Sequence, residues 1–452
     1  MELQNVENIY PLSYLQESIL LNRLKMSKAD LSCGQFICTL HGMLDVLAFE
    51  QAWQQVIDRQ PLLRTYFVWQ RVKNPLQVVH KQVKFSLDQQ DWRCFSLTQQ
   101  EEKLEHYINA KQVRSFNLAK PPLIHIMVCH TDEYTYQFAW IYDSLILDSW
   151  SVFLILKEVF ALYDSSCRGE NFSLTQICPY RDYVMWLRQQ DLSQAEEFWN
   201  QLLKGFTRPT PLVVDRVFNN LTDRRENNNQ LIRLSVTATE RLRSLAQEQQ
   251  INLKTLVQGA WAMLLSRYND NDDVVFGITV SSRLTTLSGI ECMVGLLDNI
   301  LPIRVRVPAQ AQLLHWLKEF QNQQLELQKY QCTPSFKIQN WSEISSGLPL
   351  FESLLIFEDF TQKISCENLE IQNIRLLLCT NYPLTLVVKL HPELSLQIIY
   401  DKKRFDSAVI LRMLGHIQTL LENFGMNPNQ RLSTVPLISK AELRQLEKWS
   451  YA

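Results

Sequence analysis

The chain has no run of lysine and arginine long enough to form a basic patch, and its 45 basic and 47 acidic residues leave a formal charge of −2. That excludes nucleic acid as an expected partner, because phosphate binding needs a concentrated positive face. The apolar runs are interrupted by charges such as Lys157 and Glu158, so none has the length of a membrane span and no membrane partner is expected. The N-terminus, MELQNVENIYPLS, lacks the apolar region of a secretory signal. Ten cysteines include no Cys-x-x-Cys pair. Their spacings fit no zinc template, and Cys33, Cys38 and Cys129 sit among apolar residues, as buried reduced thiols of a cytoplasmic protein would. His125 and His130, five apart on one strand-like run, face opposite ways and cannot share a metal. No low-complexity tract or short-period repeat is present.

What is there reads as an ordinary globular chain, 46% apolar and 20% charged. Its 452 residues exceed a single core, so two lobes are expected. A turn and amphipathic helix open the chain over 10–30, and Phe36–Leu44 reads as a strand. Asp45–Arg59 reads as a helix with Leu47, Phe49, Trp53 and Val56 inward, followed by Pro61–Phe67 entering a strand. Glu101–Arg114 is helical in pattern, and 116–124 leads back to the sheet. Residues 165–178 lose periodicity before Pro179, which sets an expected boundary between lobes 1–175 and 176–452. Tyr180–Leu203 reads as one aromatic-rich helix crossing between them. A second alternation follows, with strands at 231–236, 274–280, 301–307, 354–360, 385–390 and 394–400 and helices at 239–248, 253–268 and 407–424. The segment 436–446 reads as short and capped. The fold class is α/β: two lobes of similar content, paired about a pseudo-twofold axis with a cleft between them.

The chain centres on Tyr134–Tyr163. Tyr134–Tyr142 is rich in aromatic and β-branched residues, as an inner strand is, and from Trp150 onward Phe153, Leu154, Leu156, Val159, Phe160 and Tyr163 recur at helical spacing. Between them lies Asp143-Ser144-Leu145-Ile146-Leu147-Asp148-Ser149-Trp150-Ser151, a polar corner between two apolar elements. One reading is structural: Asp148, Ser149 or Ser151 caps the following helix, and Asp143 enters an ion pair. The other is a reactive site.

Several ordered blocks carry a resemblance. They are Tyr10-Pro11-Leu12-Ser13 with Gln16, Pro61-Leu62-Leu63-Arg64-Thr65, Asp272–Gly277 through Val280–Arg283, and Val294-Gly295 to Asn299–Pro302. Thr333-Pro334 through Trp341, Phe351–Phe357 and Asn381–Thr385 complete the series. Together they resemble the condensation domains of nonribosomal peptide synthetases over essentially the whole chain, the last two echoing the subgroup that joins two L-configured residues. The resemblance implies a chloramphenicol-acetyltransferase-like fold, two such lobes forming a V around a central tunnel, with the N-terminal lobe on the donor side. It implies substrates carried on phosphopantetheine arms, with no cofactor of the domain's own and no metal. It also implies upstream donor and downstream acceptor carrier proteins as partners, a neighbouring adenylation domain suggested by the linker-like 447–452, and a monomer for the excised domain. By this resemblance the chain is the N-terminal domain of a larger synthetase.

The family's hallmark is His-His-x-x-x-Asp-Gly, and Asp143-Ser144-Leu145-Ile146-Leu147-Asp148-Ser149 stands in its place. The second His, credited with orienting or deprotonating the attacking amine, is Ser144, and a hydroxyl with no adjacent base is too weakly basic to replace imidazole. By resemblance Arg283 pairs with Asp148 in a structural role, and Arg64, Ser149, Trp150, Asn299 and Tyr382 support the site. Asp143, Asp148 and Ser151 also match the signature of heterocyclisation relatives, although only Asp143 distinguishes it and Asn381-Tyr382-Pro383 belongs to the condensation type. Three functions follow: amide-forming acyl transfer aided by proximity, with Asp143 a partial base if burial raises its pKa; cyclisation or dehydration using Asp143 and Asp148 as acid and base with Ser151 as a hydrogen-bonding group; or a silent recruitment domain.

Overall fold

The structure, a computed structural model, describes residues 5–25, 33–113, 116–170, 176–212, 227–345, 347–358, 364–377, 380–439 and 442–444. The expected boundary at 165–178, the strand end at 359–360 and the capped segment 436–446 lie partly outside the described residues, and the linker-like 447–452 lies wholly outside them. The chain divides into two compact units, neither continuous in sequence. The first is Met1–Gln190 with Ser282–Asp298 and Gln362–Asn381, and the second is Asp191–Ser281, Asn299–Thr361 and Tyr382–Ala452.

In chain order the elements begin with β1 (Val6–Pro11), α1 (Tyr14–Lys25), β2 (Cys33–His41), α2 (Val46–Arg59), β3 (Thr65–Val68), β4 (Leu76–His80) and β5 (Asp88–Asp91). Next come α3 (Leu97–Val113), β6 (Ile124–Asp132), β7 (Thr135–Asp143), α4 (Ser149–Arg168) and α5 (Tyr180–Arg188). The second unit opens with α6 (Ser193–Leu203), β8 (Asn227–Arg233), α7 (Val236–Gln249), α8 (Leu253–Asn269) and β9 (Asp273–Ser281). β10 (Asp298–Arg306), α9 (Leu313–Gln328), α10 (Ser335–Trp341) and β11 (Ser353–Glu358) follow. β12 (Glu370–Leu377) returns to the first unit, and β13 (Leu384–Lys389), β14 (Ser395–Asp401) and α11 (Ser407–Met426) close the second. No helix among the described residues is long and apolar enough to cross a membrane.

The first unit is built on a five-stranded sheet in the order β12-β2-β7-β6-β5, beside a three-stranded sheet β1-β4-β3. β7 is central and flanked by antiparallel β2 and β6, so its side chains are buried on both faces. One face carries the aromatic core. Trp53 of α2 meets Trp140 edge-on at 4.9 Å, and Phe49 meets Phe138 and Tyr163 at 5.6 and 5.8 Å. Such pairs add roughly 0.5–1.5 kcal/mol each to the burial of their area. α3 covers the other face through Leu104 and Ile108, against Met127, Cys129, Ala139 and Ile141. Gly34 lies opposite Tyr142 in the register, and the Tyr142 ring crosses it so closely that a Cβ would sit 2.2 Å from the ring. Cys33, Cys38 and Cys129 are buried as expected. The second unit has one six-stranded sheet, β10-β9-β11-β13-β14-β8, and its core takes in the largely buried α8 and the apolar face of α11.

Two expectations need correction. Leu47 does not point inward: it is 70% exposed, because on the first turn of α2 the stripe facing the sheet is Ala48, Phe49, Ala52, Trp53 and Val56. Tyr180–Leu203 is two helices rather than one. The chain breaks after α5, Asp191 accepts from the Ser193 amide at 3.0 Å to start α6, and the units divide between Gln190 and Asp191. The strands β1, β4, β5 and β12 were not anticipated.

His125 of β6 stacks on Phe116 at 4.8 Å, and burial, with a smaller push from Lys111 and against a pull from Asp88, lowers its imidazole to about 4. An unfolded chain takes up that proton from about pH 6.5 downward, whereas the folded chain resists it to about 4, so this residue withdraws stability as pH falls through that window. The expected outcome is a thermal midpoint that drops between pH 6.5 and 4, with a smaller drop in His125→Gln. An equal drop in the variant contradicts the assignment.

Candidate functional site

The corner forms where β7 ends. Asp143 is the last residue of β7, paired with Cys33 across the ladder, and its amide donates to the Leu123 carbonyl at 3.0 Å. The chain then turns through Ser144–Leu147, burying Leu145, Ile146 and Leu147. Asp148, extended at φ −89°, caps α4 by accepting from the Ser151 amide at 2.7 Å. Apolar residues between two polar ends anchor the turn, and its polar groups are left to find partners.

Asp143 finds Arg23 of α1. The guanidinium donates to both carboxylate oxygens at 2.8 Å, and Nη2 also reaches the Ser144 hydroxyl at 3.1 Å. The Leu145 amide donates to Oδ1 at 2.9 Å. Asp143 is 1% exposed, so this fork-to-fork pairing is what allows its charge to be buried. Gln16, seven residues before Arg23 and on the same face of α1, donates to the Leu145 carbonyl at 2.8 Å. It also closes a reciprocal cap with Ser13: the Ser13 amide donates to Gln16 Oε1 at 2.9 Å, and the Gln16 amide to Ser13 Oγ at 3.3 Å. The opening block thus starts the helix that steadies the corner.

Asp148 is held by residues 282–298. Arg283 donates to its two oxygens at 2.6 and 3.2 Å, and the Leu297 amide adds a bond at 2.9 Å. Ser151 is saturated too, donating to the Gly295 carbonyl at 2.8 Å and accepting from the Gly295 amide and Arg283 at 2.9 and 3.0 Å. Gly295 must be glycine, because the Tyr180 ring would lie 2.1 Å from a Cβ there. Burial raises the Tyr180 phenol well above its ordinary range and keeps it a donor, 2.9 Å from the Leu296 carbonyl. Trp150 donates to the Glu291 carbonyl at 3.2 Å, with the Arg283 guanidinium 5.9 Å over its ring. Ser149 opens the helix as its first residue.

The structure brings together Asp143, Ser144, Asp148, Ser149, Trp150, Ser151 and Arg283. The other expected residues are held by their own neighbours. Arg64 is buried between α2, β1 and β4, donating to the Ile57 and Lys81 carbonyls at 3.0 and 3.1 Å, to Glu7 at 2.5 Å and to the His80 carbonyl. Asn299, in the second unit, donates to the Gln331 and Thr333 carbonyls at 2.8 Å each, and Tyr382, also there, stacks on Phe351 at 5.3 Å. Arg23 is the residue the sequence reading missed. Its signal was a basic side chain on the same helix face as Gln16. No cluster of metal-ligating side chains occurs among the described residues.

A condensation-domain family model matches residues 6–447. One of the linear gramicidin synthase proteins of Brevibacillus parabrevis is 40% identical over 448 residues, 98% of this chain. The chain spans only 6% of that relative's length. Among solved structures, the starter condensation domain of rhizomide synthetase RzmA, in complex with C8-CoA, is 18% identical with a TM-score of 0.83, covering 95% of this chain and 98% of that one. The X-domain from teicoplanin biosynthesis, solved with OxyB, is 20% identical with a TM-score of 0.81 over 97% of each chain. The fold these structures share is the chloramphenicol-acetyltransferase-like fold implied by the resemblance.

Arg283 and Asp148 have side-chain exposures of 8% and 0%, so removing one leaves the other buried and unpaired. Arg283→Ala is expected to cost roughly 3–5 kcal/mol of unfolding free energy, measured by denaturant titration. The exposed pair Arg168–Glu170 serves as a control expected to change stability far less. A loss for Arg283→Ala no larger than the control's contradicts the structural role.

Proposed function

Because this chain belongs to the condensation-domain family of nonribosomal peptide synthetases, we propose that it joins two carrier-bound groups through an amide bond by holding them in register rather than by moving their protons. The observation that carries this reading is the pairing at the corner: both carboxylates are gripped through two oxygens by arginines, and Ser144 stands where the family places its imidazole. Carboxylates fixed in this way are committed to holding the turn. Ser144 is half-buried, and its hydroxyl, oriented by Arg23, retains an O–H to donate.

In this reading the acceptor amine attacks the donor thioester carbonyl, the C–N bond forms, and the C–S bond breaks to release the donor arm as a thiol. The amine's proton leaves to solvent or to the departing sulfur. Proximity alone supplies roughly 7–11 kcal/mol of such a barrier, against about 10²–10⁴-fold for a positioned base. The reaction is therefore slowed by the missing imidazole without being forbidden.

The partners in this proposal are donor and acceptor carrier proteins presenting phosphopantetheine, with an adenylation domain as neighbour and the cytoplasm as setting. The domain needs no cofactor of its own. A second reading, recruitment without chemistry, is favoured by the saturation of Asp148 and Ser151 and by the grip of Arg23 on Asp143. Cyclisation or dehydration is the least supported, because it needs a carboxylate free to exchange a proton.

Reconstitution with loaded donor and acceptor carriers, read by mass spectrometry, tests the proposal. With no base in the enzyme, the rate is set by the neutral fraction of the amine. It is expected to rise nearly tenfold per pH unit up to the amine pKa near 8, with no inflection near 6.5. Ser144→His is expected to add that inflection and raise the rate roughly 10²–10⁴-fold. No product from either protein supports recruitment, and an inflection in the unaltered chain overturns the base-free reading.

A further inference from the structure

A second surface stands apart in chemistry from the corner. In the second unit, α6, β10 and α9 enclose an open groove of about 690 Å³. Its apolar walls include Phe198, Leu202, Trp316 and Phe320. β10 is the edge strand of the six-stranded sheet, and an edge is ordinarily a template for another strand. Here α9 blocks that use. Gln323 Nε2 donates to the Arg304 carbonyl at 2.8 Å and Trp316 Nε1 to the Arg306 carbonyl at 2.7 Å, so the two outward carbonyls at the groove are already taken. What enters the groove meets this end of β10 without those acceptors and is recognised chiefly by side chains.

Those side chains are cationic. Arg304 is committed to the fold: it grips Asp273 at 2.9 and 2.5 Å and the carbonyls of Leu202 and Lys204 at 3.1 and 2.7 Å, fixing the end of α6 against β10. That bracing turns the exposed Lys204 to the groove beside the exposed Arg306, and neither ammonium nor guanidinium has a partner among the described residues. The one acidic lining residue, Glu319, faces His315 of its own helix at 3.2 Å. Apolar walls with two uncommitted cations at the rim are complementary to an apolar side chain flanked by carboxylates.

We propose that this groove binds a short acidic peptide segment of a partner protein, its apolar side chain seated on Phe198 and Phe320 and its carboxylates on Lys204 and Arg306. The probes are fluorescent, end-blocked peptides that alternate leucine with paired glutamates, the same peptides with lysine for glutamate, and a single-stranded oligonucleotide. All are titrated against the whole chain by anisotropy. Glutamate peptides are expected to bind, to weaken as salt rises, and to lose at least about tenfold in affinity with Arg306→Glu or Lys204→Glu. These exposed positions leave the fold intact, as an unchanged thermal midpoint checks. Bound peptide is expected to slow hydrogen exchange in 198–206 and 304–308. The proposal is overturned if glutamate peptides do not bind, if lysine peptides bind as well, if the oligonucleotide binds in preference, or if the charge reversals leave affinity unchanged.

Discussion

A carboxylate taken out of water must be matched by a cation or give up its charge, and the turn from β7 into α4 buries two of them. Asp148 meets the demand with Arg283, and the consequence reaches beyond the pair. Arg283 lies 135 residues later in the chain, and with it come the Leu297 amide and the Gly295 peptide, which bonds Ser151 through both its N–H and its C=O. This is why 282–298 belongs with the first unit although β9, which precedes it, belongs to the second. The same carboxylate starts α4, the helix whose Phe153, Phe160 and Tyr163 complete the aromatic core. Helix start, segment crossing and charge burial are thus consequences of one pairing.

The second carboxylate is solved differently, and the difference bears on chemistry. Asp143 ends a central strand, where the backbone is already committed to the ladder, so its partner comes from α1. Arg23 there does two things at once: it neutralises Asp143 and fixes the Ser144 hydroxyl. A guanidinium does not titrate in the physiological range, unlike imidazole. The corner therefore holds a fixed charge pattern where the family's pattern has an exchangeable proton.

Much of this was legible in the chain. The strand, turn and helix of Tyr134–Tyr163 announce themselves by aromatic enrichment followed by 3.6-residue spacing, and the N-cap at Asp148 follows from its place before a helical run. The family blocks led to Arg283, because an ordered motif carries long-range information that periodicity lacks. Arg23 was only faintly legible. Its place on the Gln16 face of α1 is the one local mark, and its role exists only once α1 is laid against the end of β7. β12 escaped for a similar reason: its burial alternates poorly, and it is a strand only by virtue of pairing with β2 more than 300 residues earlier. Arg64, Asn299 and Tyr382 were grouped with the site by resemblance; the bonds seen for them are to nearby backbone, with Tyr382 partly buried against Phe351.

The saturated corner also separates two kinds of polar residue that sequence treats alike. Asp148 and Ser151 have every acceptor engaged by protein donors, and taking either for substrate would break a buried bond at a cost of about 1–3 kcal/mol. Ser144 is held by one bond and sits half-buried at the mouth of the turn. It can donate to a substrate oxygen without breaking anything. A site whose ready group is a weak donor suits reactants that are already activated, as an acyl thioester and an amine are. It does not suit ring closure or dehydration, where a proton must be both taken and given. In the proposed reading, the chemistry left to such a corner is the chemistry of alignment.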